Sequence, residues 1–524
     1  MARALTFRHR SEDEEIKEAG LTLDFDELAA RGAMSSADAS IAKWYGIYRS
    51  RHPGFHMARI VLPGGILTAA QARNIAGISE RYGQGIVNVT TRQALQLHWL
   101  KIGHLPEVLR ELRTHGNTTF HGCGDVTRNV AACPLAESCV HRRVDVRPHA
   151  KETARVLGSC RDLDNLPRKY KITFSGCSAA CGQPHINCCG FIGVLTGRGP
   201  GFRVVIGGGM GWKAFVAKPL FGFVPADRGV AVARAVGLLF RDEGDRYDRA
   251  CSRLKFVVDR LGIDRCRELV LDHLAAEGVD QTGLSADSPE DLGPPPPARP
   301  LTEEVPVGTD GLCTVRALVP KGELSFRQLA GLAGISERFG DQRLRASNRQ
   351  NLEIGGVLPE EAGAAEEEIR ALGFETRGSF SLCDIVACVG TTYCPKAVTE
   401  TRALADRLGP LVSEARYATI RDAGIINITG CPNSCSPYRI ADLGFRGMRI
   451  REESGSVEAY EVRIGGRQEC FGEILGEFKL EDCEEVTRRV LDLFGRERLD
   501  GEALADCVAR VGIDCFRGEV FHAV

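Results

Sequence analysis

The chain repeats itself. Ile75–Gly83 reads IAGISERYG and Leu332–Gly340 reads LAGISERFG, 257 positions apart. At the same offset, TRQAL at Thr91–Leu95 meets NRQNL at Asn348–Leu352. Two neighbouring matches in one register, with no gap between them, mark an internal duplication. Such a chain folds as two copies of one unit, and each feature of one copy has a counterpart position in the other. At 524 residues, each copy has room for more than one domain.

The alternation of apolar residues sets the order within the first copy. Met57–Leu62, Gly85–Thr90 and Ala94–Leu100 read as strands, and Thr68–Tyr82 and Leu105–His115 as helices. A larger cysteine-bearing α/β unit follows. The predicted boundaries are an arm at 1–40, a small α/β half at 41–117, a cysteine-bearing domain at 118–284, a linker at 285–303, the second small half at 304–374 and the second cysteine-bearing domain at 375–524. The linker contains SADSPEDLGPPPPAR, an acidic, proline-rich stretch expected to be an extended spacer. Val230–Gly278 and Leu480–Val524 carry aliphatics at helical spacing and read as packing helices that end each copy.

The cysteines follow the duplication. Cys388 and Cys394 form C-x5-C in ACVGTTYCP, and Cys431 and Cys435 form C-x3-C in TGCPNSC. The first copy answers with Cys133 and Cys139 in AACPLAESC, and Cys177 and Cys181 in SGCSAAC. Four thiolates in two tight pairs suit an iron–sulfur cluster. A structural zinc site is the competing use, although its pairs are commonly closer than C-x5-C. Of twenty cysteines, the other twelve read as small buried core residues. MARALTFRHRSEDEE has no apolar stretch of a secretory leader, and no uncharged run reaches membrane-spanning length. A reducing cytoplasm is the expected setting. A net charge of −2 gives no support to a nucleic-acid or membrane partner.

Basic residues gather beside the first-copy cysteines. Arg92 lies in NVTTRQALQL, Arg128 in HGCGDVTRNV, and Lys169 and Lys171 in LPRKYKITFSGC. Alternate positions of an extended segment put those two lysines on one face. Cations converging in a partly buried place need an anion to neutralise them, so they predict a small-anion pocket. VVIGGGM at Val204–Met210 lacks the spacing of a phosphate loop and reads as close backbone approach, with a flat cofactor a candidate neighbour. GDRYDRACSRLKF carries Arg246, Arg249, Arg253 and Lys255, read either as a solvated helix face or as partners for cofactor carboxylates.

TTRQ, GDVTRNV, LPRKYK, IGGGM, ACVGTTYCP and TGCPNSC stand in this order over roughly residues 40–520. In this the chain resembles the sirohaem- and [4Fe–4S]-containing sulfite and nitrite reductases. The resemblance implies an α+β fold: a tandem duplication of a ferredoxin-like half-domain plus a larger sirohaem/[4Fe–4S] domain, around one sirohaem. It implies that Cys388, Cys394, Cys431 and Cys435 hold the cluster, with Cys435 bridging to the sirohaem iron. It places Arg92, Arg128, Lys169 and Lys171 over the substrate. Arg249, Arg253 and Lys255 resemble the segment that neutralises sirohaem carboxylates, with Arg92 and Arg128 also beside the cofactor. The implied reaction is six-electron reduction of sulfite to sulfide, or of nitrite to ammonia, with an external donor such as ferredoxin. The lysine at 171 leans towards sulfite. A cobalamin-pathway ring-contracting enzyme of the same fold and a non-catalytic sirohaem or electron carrier are the other readings; the retained cation set speaks against a carrier.

One departure stands out: the complete first-copy quartet, Cys133, Cys139, Cys177 and Cys181, which the familiar assimilatory enzymes lack. It reads as a second cluster site or as thiols left over from the duplication. Aligned on the cysteines, Arg128 falls on Cys383, and Lys169 and Lys171 on Ala423 and Ile425; only Arg92 keeps its counterpart, Arg349. One substrate site is therefore expected.

Overall fold

The computed structural model describes residues 10–296, 305–453 and 455–521. The two cysteine-bearing units share one sheet plan. In the first, Ala131–Ala132, Ile172–Ser175 and Cys189–Thr196 run parallel, and Gly199–Ile206 and Lys218–Pro225 continue antiparallel. In the second, Val386–Ala387, Ile426–Thr429 and Leu443–Glu452 run parallel, followed by antiparallel Gly455–Ile464 and Glu473–Lys479. Parallel neighbours need a crossover, and the helices Val146–Ser159 and Thr401–Val412 lie in the first crossover of each unit. Both cysteine pairs of each copy follow the carboxyl ends of parallel strands, where open α/β sheets commonly place ligands.

The ferredoxin-like halves do not fold side by side. Ile66–Thr68 of the first half pairs with Arg343–Ala346 of the second, while Glu323–Ser325 of the second pairs with Ile86–Val89 of the first. Each sheet thus borrows a strand from the other copy, and one apolar core runs through both halves. The IAGISER and LAGISER segments are the helices Ala69–Tyr82 and Phe326–Phe339, packed together and joined by an Arg73–Glu337 ion pair. Thr68 with Gln71, and Ser325 with Gln328, form the same capping box. Each box satisfies two orphan helix donors and contributes about 1 kcal/mol. Separate cores fill the two cysteine-bearing units.

Two local expectations are corrected. GDRYDRACSR is a run of turns, and helix begins only at Leu254–Leu261. The linker is not a free spacer over its first part: Ser285 exchanges backbone hydrogen bonds with Phe223, and Leu292 N–H donates to Leu195. Asp291 pairs with Arg143 at 3.2 Å. Residues 297–303 of the predicted linker lie outside the described residues. The glycine run does bring backbones close: a Cβ on Gly208 would lie 2.4 Å from the His185 carbonyl and 2.6 Å from that of Asn187. The arm, described from residue 10, forms the short helices Glu12–Ala19, Phe25–Arg31 and Ser36–Ile41. No helix among the described residues is long and apolar enough to cross a membrane.

Candidate active site

The TGCPNSC loop leaves strand Ile426–Thr429 and wraps its sulfurs in backbone donors. Gly430 N–H donates to the Cys388 sulfur at 3.2 Å. Cys394 receives the N–H groups of Lys396 and Ala397, and Cys431 that of Asn433. Donors of this kind stabilise thiolates and the anionic cluster they hold. Burial first, then the nearby Cys435, pushes the Cys388 thiol up to about 12, so iron must displace a proton to bind there. Four cysteine sulfurs in two pairs, one of them met by a backbone N–H, are the donor chemistry of an iron–sulfur cluster, so the quartet fits that group.

Cys435 points out of this unit. Ser434 before it has a φ of 52°, and this left-handed turn presents Cys435, which is exposed, to the other copy. There Thr91, next to Arg92, donates its hydroxyl to the Cys435 carbonyl at 2.7 Å. The last cluster cysteine thus abuts the cation motif of the opposite copy.

The four predicted cations come together across from it. Arg92 follows strand Ile86–Val89, Arg128 precedes Ala131–Ala132, and Lys169 and Lys171 flank buried Tyr170 just ahead of Ile172–Ser175. All four are half-buried. Arg92 donates to Asn187 Oδ1 at 2.6 Å and to the Asn129 carbonyl at 2.7 Å, and its Nε has no partner. Arg128 bonds only carbonyls, those of Gly122 and Gly124. Among the described residues none of the four makes an ion pair with a carboxylate. Burial, then the charge of Arg128, pulls Arg92 down to about 9. Burial, then Arg253, Arg168 and Arg128, pulls Lys169 down to about 7. Lys171 is held well below the ordinary lysine range by burial, then by Arg92 and Lys169. Positive charge unpaired at this density marks a place built to receive anions.

The carboxylate-binding segment divides. Arg253 and Lys255 join the cation field: Arg253 lies 3.4 Å from the Cys188 sulfur with its Nε unpartnered, and buried Lys255 donates to the carbonyls of Met210 and Lys213. Arg249 does not join, because it pairs with Asp13 of the arm and with Asp125, both at 3.0 Å. Arg246 likewise pairs with Glu14. Sequence reasoning could not see these carboxylates, which come from the arm and from a motif read for its arginine.

Other members of the site also carried no legible signal. Arg59 reaches the Cys123 sulfur at 3.3 Å. Cys188 sits fully buried among Arg253 and Lys171, which together hold its thiol below the ordinary range against its burial. Asn129 and Asn187 orient Arg92, and Asn129 stood unremarked inside GDVTRNV. A polycarboxylate macrocycle and a small oxyanion both match the chemistry of this field.

The description "Nitrite and sulphite reductase 4Fe-4S domain" matches residues 123–277 and 381–523, and "Nitrite/Sulfite reductase ferredoxin-like half domain" matches 48–115 and 306–372. The chain belongs to the nitrite and sulphite reductase family. It is an oxidoreductase of the ferredoxin-like-half and [4Fe–4S]-domain architecture, with sirohaem and a [4Fe–4S] cluster as its cofactors. A sulfite reductase [ferredoxin] of Mycobacterium tuberculosis is 31% identical over 543 residues, with 96% of each chain covered. A chloroplastic ferredoxin–nitrite reductase of Zea mays is 32% identical over 480 residues, covering 88% of this chain and 83% of that one. The solved structure of Mycobacterium tuberculosis NirA superposes with a TM-score of 0.87 at 29% identity, covering 98% and 99% of the two chains. The duplication, the α+β fold and the cofactors expected from the sequence are those of the family.

In this reductase Cys388, Cys394, Cys431 and Cys435 would hold the cluster, and Arg253 and Lys255 would meet sirohaem carboxylates. When bound, sirohaem supplies the iron that takes up the substrate and delivers electrons to it. The protein's own part is to bind the anion, hold its orientation and supply protons.

Proposed function

We propose that this chain reduces sulfite to sulfide in the cytoplasm, taking electrons from an external one-electron donor such as ferredoxin. The observation that carries the substrate choice is the paired lysines, Lys169 and Lys171, beside Arg92 and Arg128, none of the four ion-paired with a carboxylate among the described residues. Sulfite reaches two negative charges as pH rises, and so gains more from a fourth cation than nitrite does. The arginines stabilise the bound anion and the charge that develops as its oxygens leave. Lys169, held near 7, gives up a proton far more readily than either arginine, so the lysines are the proton donors. An amine near 7 shares its proton readily at neutral pH, and a bound anion draws that proton back onto Lys169.

The cytoplasmic setting is supported by twenty cysteines, all of them free. Nitrite reduction to ammonia is the second reading, favoured by the equally similar chloroplastic relative, whose name says ferredoxin–nitrite reductase. Purified holoenzyme, assayed with reduced ferredoxin and each anion in turn, should give the higher kcat/KM with sulfite. A tenfold preference for nitrite would overturn the substrate choice, and absence of both activities the whole reading.

A further inference from the structure

The first-copy quartet repeats the second-copy cage donor by donor. Gly176 N–H donates to the Cys133 sulfur at 3.2 Å, as Gly430 does to Cys388. Cys139 receives the N–H groups of His141 and Arg142, the second and third residues after it; Cys394 receives those of Lys396 and Ala397, at the same two positions. Cys177 receives the N–H of Ala179 and Cys431 that of Asn433, each two residues on. The last cysteine is again presented by a left-handed residue, Ala180 with a φ of 55°. It again abuts the other copy: Asn348 donates to the Cys181 carbonyl at 2.7 Å, in the place where Thr91 meets Cys435.

Thiols left over from a duplication would be under no requirement to keep these donors, or a space between them. Here all four cysteines line one cavity, together with Leu135, Ala136, Phe380 and Pro296 of the linker. Cys133 faces Cys181, and Cys139 faces Cys177. The attached part of the linker has a physical role in this light, since the Asp291–Arg143 ion pair holds it over the cavity.

The neighbouring anion pocket, by contrast, is closed from within. Arg349, the counterpart of Arg92, is fully buried, pairs with Asp384 at 3.0 Å and donates to Asn427 at 2.9 Å. Asp384 stands where the first copy has Asn129, so a carboxylate replaces a neutral amide beside the arginine. Cys383, Ala423 and Ile425 stand where Arg128, Lys169 and Lys171 stand in the first copy. Nothing there calls for a polycarboxylate macrocycle or an oxyanion.

We propose that Cys133, Cys139, Cys177 and Cys181 hold a second [4Fe–4S] cluster, one that carries no sirohaem. The test is to count iron, acid-labile sulfide, zinc and sirohaem in anaerobically purified wild-type protein, then in Cys139→Ser and Cys177→Ser. Two clusters and one sirohaem predict about nine irons and about eight sulfides per chain, with about four of each lost in either variant and the sirohaem absorbance retained. The reduced wild type should also show the electron-paramagnetic signal of a cluster not coupled to haem, absent from both variants. About five irons and four sulfides in the wild type would overturn the proposal without any variant. About one zinc lost with Cys177 would overturn it in favour of a structural ion, and two sirohaems per chain would overturn the bare second cluster. The reductase assignment is read separately: eight sulfides without any sirohaem would sink that assignment and keep this cluster.

Discussion

Replacing Arg92 by Gln should make the protein more stable and a worse enzyme. In the cofactor-free protein Arg92 sits in a cation field without a counter-ion. Burial first, and then the charge of Arg128, disfavours its charged form in the folded state and pulls it down to about 9. Each unit corresponds to about 1.4 kcal/mol; with the side chain only half-buried at the cleft and solvent screening discounted, roughly 2–4 kcal/mol of destabilisation remains. The sign follows from linkage. A base depressed on folding keeps this cost at all pH values below about 9 and loses it only as pH rises through that value. At pH 7 the cost is fully present; Gln removes it, and its shorter side chain gives up the bonds to Asn187 and Asn129, which offsets part of the gain. The thermal midpoint of the cofactor-free variant should rise by a few degrees. In the holoenzyme, losing a charged hydrogen bond to the substrate anion costs about 2–3 kcal/mol, or roughly 30–150-fold in kcat/KM. Scanning fluorimetry with and without sulfite, together with viologen-driven kinetics at matched sirohaem content, reads both effects. A lower midpoint, with activity lost in proportion to sirohaem, would refute the reasoning and make Arg92 a structural residue.

The counterpart site should respond with the opposite sign: Asp384→Asn strands the buried Arg349 charge and should lower stability by about 3–5 kcal/mol, read in the same melts. Lys171→Asn should lower sulfite turnover more than nitrite turnover in paired assays; equal losses would remove the argument from charge. His98 is buried, stacked on Tyr393 at 4.0 Å, and held down to about 3 by burial first and then by Arg402 and Arg59. The folded state therefore refuses a proton that the unfolded chain accepts below about 6.5, and stability falls as pH drops through that range. His98→Phe should recover about 2 kcal/mol of the loss between pH 7 and pH 5, measured as the difference in denaturant midpoints.

Much of this molecule was legible before any coordinates. The duplication, both cysteine quartets, the helix read over Thr68–Tyr82, and the gathering of Arg92, Arg128, Lys169 and Lys171 all rest on local patterns: residue types at short spacings, which side-chain chemistry and backbone period interpret directly. Even the absence of a second cation set follows from counting along the repeat. What the sequence could not supply was which groups far apart in the chain meet. Arg249 looks as available as Arg253 until Asp13 and Asp125 fold onto it. Arg349 looks as competent as Arg92 until Asp384 reaches it from 35 residues away. The strand exchange between the halves left no trace in periodicity, because an exchanged strand alternates like any other. The electrostatic worth of a charge depends on distances that only packing sets. Read alone, the chain carries two cysteine quartets and one set of cations, because both are local patterns of residue type and spacing. The tertiary structure decided that Cys435 of one copy faces the cations of the other, and that the equivalent space beside Cys181 is closed by an internal ion pair.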